Sequence, residues 1–178
     1  MTDPFATLGL EPRFDLDLRA AEQRHRDLSR ALHPDRYTGA PAAERRLALN
    51  RAIEVNEAWR VLRDPIRRAD ALLARAGVET REDAAPKPSP ALLMDILESR
   101  EELSSAAKRR DLGKVAALGE AMRAREQRTL AAVAAGLDGA GGDAGKIRAV
   151  LPWLGELRYY RRFLDEVSTI EEDLAEAQ

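Results

Sequence analysis

Cysteine is missing from all 178 residues, which removes disulfides, thiolate metal sites and cysteine-ligated clusters from consideration. Histidine occurs only at positions 25 and 33, with no metal-ligand pattern around either, so no metal and no cofactor is expected. Aromatic residues make up 4% of the chain, and the formal net charge of −2 gives none of the global basic character of a nucleic-acid binder. No stretch approaches the roughly 18 apolar residues of a membrane span. The opening MTDPFATLGLEPRF lacks a basic start followed by an apolar run. Neither membrane nor nucleic acid is expected as a partner, and the expected compartment is the cytoplasm. There is no nucleophile elbow, and the glycine-rich GLDGAGGDAG lacks phosphate-loop spacing, the Lys-Ser/Thr ending and a preceding strand. An enzymatic activity of its own is not expected.

What the chain does have is helix-forming composition. Hydrophobic residues are 44% and charged residues 34%, with Ala, Leu, Arg and Glu dominant, which points to an all-α fold. Leu18, Ala21, His25, Leu28 and Leu32 repeat at spacings of three and four and predict a helix from about Asp17 to Leu32, stopped by Pro34. After RYTGAP, Pro41 suits the first turn of a second helix marked by Ala48, Ala52, Val55, Trp59 and Leu62. The two should pair as an antiparallel hairpin with His33-Pro34-Asp35 near its turn. Asp64 and Pro65 then provide an N-cap and a first-turn proline for a shorter helix that ends at Gly77.

The polar segment GVETREDAAPKPSP carries prolines at 86, 88 and 90 and reads as a semi-rigid linker. It divides the chain into residues 1–76, a linker at 77–89 and residues 90–178. The front part carries 14 Lys and Arg against 12 Asp and Glu; from residue 77 onward there are 15 against 19. Beyond the linker three helices are expected, over about Pro90 to Arg110, Asp111 to Leu137 and Ala144 to Ala175, packed as a three-helix bundle.

His25 lies on the apolar face of its helix and reads as a filler in a small core, with a ring nitrogen bonded to solvent or backbone. His33 opens an exposed loop on a rigid hairpin, where binding groups concentrate. Taken alone, His33-Pro34-Asp35 can also be punctuation, with proline breaking the helix and aspartate making a turn.

The stretches DPFATLGLEPRFDLD, HPDRY and NEAWRVLRDPIRRADALL resemble the J-domain of the HscB-type iron–sulfur co-chaperones. SPALLMDILESREEL and LRYYRRFLDEVSTIEEDL resemble the C-terminal helical domain of the same family. The resemblance implies that residues 1–76 form a J-domain, whose loop and basic helix engage an HscA-type Hsp70 and stimulate its ATPase. It also implies that residues 90–178 bind the IscU-type scaffold carrying the nascent cluster. By that resemblance the Hsp70 contacts are His33, Pro34, Asp35 and Arg36, with Arg24, Arg26 and Arg30 as electrostatic helpers. Many J-domains have lysine where Arg36 stands, so charge is kept but hydrogen-bond geometry is not. The implied scaffold contacts are Leu93, Met94, Leu97, Glu98, Glu101 and Phe163. A bundle core would use the same leucines and Phe163, yet Leu92, Leu93, Ile96 and Leu97 make a face wider than one seam requires, so part of it should stay exposed. A general J-protein for another client, and a helical adaptor in which His33-Pro34-Asp35 is only a turn, remain open.

Overall fold

A computed structural model of the chain describes residues 2–79, 86 and 88–176, and among these no strand occurs. A short helix, α1 (Pro4–Leu8), was not anticipated, being too brief to show periodicity. It is built from local signals: the Asp3 side chain accepts from the Phe5 amide, Pro4 opens the first turn, and Gly9 closes the helix at φ 66°. Helices α2 (Leu18–Ala31) and α3 (Ala42–Leu62) form the anticipated hairpin, separated by a one-turn 3-10 helix at Pro34–Tyr37. Asp17 caps α2 by accepting from the amides of Arg19 and Ala20. Helix α4 (Pro65–Arg75) starts at the Asp64 cap, as its Asp-Pro pair suggests, and Gly77 follows its end at φ 71°.

The back of the chain contains α5 (Pro90–Lys108) and α6 (Leu112–Asp138), close to their expected bounds. The expected third helix is two helices, α7 (Ala144–Arg148) and α8 (Leu151–Glu176). Pro152 explains the break: it has no N–H to give to the carbonyl of Arg148, so a helix cannot run through it undisturbed. Helices α6 and α8 approach closely, and a Cβ at Gly119 would stand 3.0 Å from the Val167 Cγ1.

Two apolar cores result. The smaller joins Phe5, Leu8, Val55, Ala58, Leu62 and Ala71 within the first four helices. The larger runs through the bundle, with Leu103, Val115, Val133, Leu154, Leu157 and Phe163 all 2% exposed or less, and also takes in Phe14, Ile66, Ala69, Leu73 and Val78. Side chains from both sides of residues 77–89 therefore share it. Of that linker, residues 80–85 and 87 lie outside the described residues.

Polar ties reinforce the same junction. Asp138, at the end of α6, accepts from the backbone amides of Phe14 and Asp15 at 2.8 and 3.1 Å. Arg161 donates to Asp64 at 2.5 Å and Arg158 to Asp70 at 3.0 Å. Arg68 is buried beneath them, donating to the Leu62 carbonyl at 2.7 Å with its guanidinium 4.8 Å from the Phe14 ring centre. Burial pulls its pKa down while Asp64, Asp15 and Asp138 oppose the change.

Burial raises the pKa of Asp70, and Arg158 opposes that rise. An ionised Asp70 therefore costs stability near neutral pH, and protonation on lowering the pH through its raised pKa removes the cost. Arg158→Ala is expected to lose about 1–3 kcal/mol near pH 7, less than a fully buried pair would because both side chains keep some solvent contact. The difference from wild type should shrink as the pH falls through the raised pKa of Asp70. Urea denaturation of both proteins across an acid-to-neutral series checks this, and a loss independent of pH would contradict it.

Candidate functional site

The tip of the α2–α3 hairpin carries His33, Pro34 and Asp35. His33 takes an extended backbone at ψ 133°, as a residue before proline should, and Pro34 begins the 3-10 turn. Three bonds hold the turn. The Arg36 amide donates to the His33 carbonyl at 3.0 Å, the Thr38 hydroxyl to the Asp35 carbonyl at 3.2 Å, and the Tyr37 hydroxyl to the Ala31 carbonyl at 3.3 Å. His33 Nδ1 lies 3.4 Å from both the Asp35 amide and the Asp35 carboxylate. It can accept from the first or, when protonated, donate to the second. Nε2 carries no hydrogen bond among the described residues. The His33 and Asp35 side chains are 59% and 85% exposed, and Arg36 is exposed beside them.

Below the turn, His25 holds the seam between α2 and α3. Its ring stacks on Trp59 with centroids 5.6 Å apart, and its Nε2 lies 2.9 Å from Asn56 Oδ1 and 3.3 Å from Ser29 Oγ. This corrects the expectation of a core filler bonded to solvent or backbone, because the ring is half-buried and its partners are side chains.

The three helper arginines do not form one group. Arg26 and Arg30 project from the outer face of α2, paired loosely with Glu22 at 3.5 Å and Asp27 at 3.8 Å. Arg24 is turned toward α1, where its Nε donates to the Leu8 carbonyl at 3.2 Å. That contact ties α2 to the turn after α1, which sequence spacing alone does not reveal. Arg19, exposed and seven residues before Arg26, shares the outer face instead. Its signal was the 19, 26, 30 spacing.

A second surface lies on α5. Ser89 caps the helix by accepting from the Leu92 amide at 3.2 Å. Ile96, Leu103 and Ala106 face the core, while Leu93, Met94 and Leu97 are 43%, 57% and 52% exposed, rimmed by exposed Glu98 and Glu101. Phe163 does not join them. It is 0% exposed, on the α8 stripe of Leu157, Tyr160 and Val167 that packs into the bundle. Its placement in the contact patch is corrected, since a large apolar ring on a core-facing stripe gains most by leaving water. A shallow groove of about 490 Å³ runs along the α5–α8 seam beside Arg100, Ser104, Lys108, Asp165 and Glu166. Among the described residues no cluster of His, Asp and Glu could hold a metal ion, and no helix is long and apolar enough to cross a membrane.

The structure thus presents an exposed His-Pro-Asp turn on a helical hairpin, joined to an all-α bundle with its own exposed apolar patch. Residues 88–168 match the family described as the HSCB C-terminal oligomerisation domain. The co-chaperone protein HscB homolog of Bordetella pertussis is 45% identical over 131 residues, covering 72% of this chain and 76% of that protein. The homolog from Ralstonia nicotianae is 35% identical over 173 residues, covering 97% and 92%. The structure of chaperone HscB from Vibrio cholerae superposes on 97% of this chain and 99% of its own with a TM-score of 0.84 at 28% identity. Human co-chaperone protein HscB shares the fold with a TM-score of 0.84, over 95% of this chain and 82% of its own, at 20% identity. The chain belongs to the HscB family of co-chaperones, and membership implies a chaperone as its partner.

Proposed function

We propose that the chain recruits an HscA-type Hsp70 through the His33-Pro34-Asp35 turn, stimulates its ATPase, and presents an IscU-type scaffold to it for iron–sulfur cluster transfer. The cluster is cargo of the scaffold, and the nucleotide belongs to the chaperone. The observation that carries this reading is the pair of surfaces on one chain, a rigid charged turn and a separate apolar patch on α5 with an acidic rim. Arg19, Arg26, Arg30 and Arg36 give the first surface a charge that would orient and speed docking on an acidic partner more than tighten it. Leu93, Met94 and Leu97 give the second an apolar centre of the kind that carries most interface energy. Two weak contacts on one chain raise the effective concentration of client at the chaperone without either being tight.

The test is an ATPase assay of an HscA-type Hsp70, with and without an IscU-type scaffold, using wild type and a Leu93→Ala/Met94→Ala/Leu97→Ala variant. The variant should keep scaffold-independent stimulation, lose about tenfold or more in scaffold affinity, and change stability by no more than about 1 kcal/mol. Undiminished scaffold binding would remove the patch from the mechanism. Stimulation by a wild-type chain that binds no scaffold would point to a different client.

A further inference from the structure

Helix α5 has more apolar surface than its packing uses. Ile96, Leu103 and Ala106 are buried and Leu92 is half-buried, while Leu93 and Leu97 stand exposed one position further round. Successive residues differ by about 100° around a helix, so a roll of roughly that size would exchange Leu92 and Ile96 for Leu93 and Leu97 at the core; further along, the same roll would lift Leu103 and Ala106 out of it, which confines any change of register to the N-terminal turns. In the first two turns, apolar burial alone separates these rotations weakly, because one pair of branched aliphatic side chains replaces another.

Ion pairs bracket the buried stripe on both edges. Asp95 is held in two-pronged fashion by Arg125 of α6, with one contact at 3.0 Å, and Glu102 on the same edge meets Lys114 of α6 at 2.7 Å. Arg100, on the opposite edge, pairs with Glu166 of α8. A roll in either direction pulls these pairs apart. Arg100 also shares the stripe of Leu93 and Leu97, so burying those leucines would drive a guanidinium toward the core. Its Nε is already buried and without a hydrogen-bond partner. Since an arginine does not escape by losing its proton, deeper burial is opposed by desolvation.

We infer that Asp95 and Arg100, through Arg125 and Glu166, set the rotation of the N-terminal turns of α5, while Leu103 and Ala106 anchor the rest, and so hold Leu93, Met94 and Leu97 outward. They are positioning residues for the client patch. Their purpose rests on the scaffold-binding reading, but their test needs no partner. Polar pairs are well suited to fixing register, since they select between arrangements that hydrophobic contacts leave close in energy.

The absence of cysteine makes the measurement clean. Single thiols are introduced as Leu97→Cys or Leu92→Cys, and their alkylation by iodoacetamide is timed under native conditions, in wild type and in an Asp95→Ala/Arg100→Met background. The Leu97→Cys thiol should react more slowly and the Leu92→Cys thiol faster, each by about threefold to tenfold, the population change that exposed ion pairs can supply. Unchanged rates overturn the inference. Faster reaction at both positions overturns it too, since that is loosening rather than rolling. Exchanging one pair, Asp95→Arg with Arg125→Asp in otherwise wild-type chain, should give wild-type rates at both thiols, and failure to do so counts against the inference. If the thiols change in opposite directions while affinity for an IscU-type scaffold stays constant, the register claim stands and the scaffold reading falls.

Discussion

A His33→Gln chain is expected to fold as wild type does and to lose about tenfold or more of its stimulation of an HscA-type Hsp70 ATPase. The side chain is mostly in solvent, and among the described residues its hydrogen-bond and ion-pair contacts are the weak ones to Asp35. Stability should therefore change by no more than about 0.5 kcal/mol. Glutamine is polar and similar in length, but it lacks a flat ring that turns one nitrogen toward Asp35 while presenting the other outward. Loss of a hot-spot contact near the centre of an interface costs about 2 kcal/mol or more of binding, enough for the expected tenfold. Circular dichroism and thermal unfolding beside the ATPase assay separate the two effects. Full stimulation by His33→Gln would reduce the motif to a turn and leave the helical-adaptor reading standing.

Phe163→Ala should behave in the opposite way. The ring is completely buried with Leu103, Val115 and Leu157 in the larger core, so truncation removes transfer energy and leaves a cavity. The expected loss is about 3–5 kcal/mol, with a fall in melting temperature of roughly 6–20 °C for a chain of this size. Scaffold binding should fall only in proportion to unfolded protein, whereas Leu97→Ala should weaken binding with little change in melting. If Phe163→Ala melted like wild type yet failed to bind scaffold, Phe163 would return to the contact surface.

The contrast between Phe163 and Leu97 marks how far sequence reading reaches. Both sit on helices with apolar stripes, and a core and a client surface reward the same side chains for the same reason. Only the neighbours of each stripe tell them apart. Local signals were more legible: Asp64 caps where it should, Pro65 opens α4, and Gly77 follows its end. Pro152 carries an equally clear signal for the break before α8, but apolar residues at helical spacing, Ile147, Leu151, Leu154 and Leu157, continue across it and mask the break. His33, Pro34, Asp35 and Arg36 emerge together at a solvent-facing turn. Arg24 does not join the other arginines, because its partner is the Leu8 carbonyl sixteen residues earlier and no helix period encodes that contact. His25 likewise depends on the side chains of α3 opposite it.

The larger core has a further consequence for how the chain can be used. Phe14, Ile66, Ala69, Leu73 and Val78 find their cover in the bundle, and Asp138 of α6 caps backbone amides in the loop before α2. The hairpin is therefore not a portable cassette. A fragment ending before α5 would keep its own small core and its exposed turn but show water an apolar flank along α4, inviting aggregation. Grafts that exchange the front half of this chain for that of a relative have to carry the matching face of α6 and α8 with them.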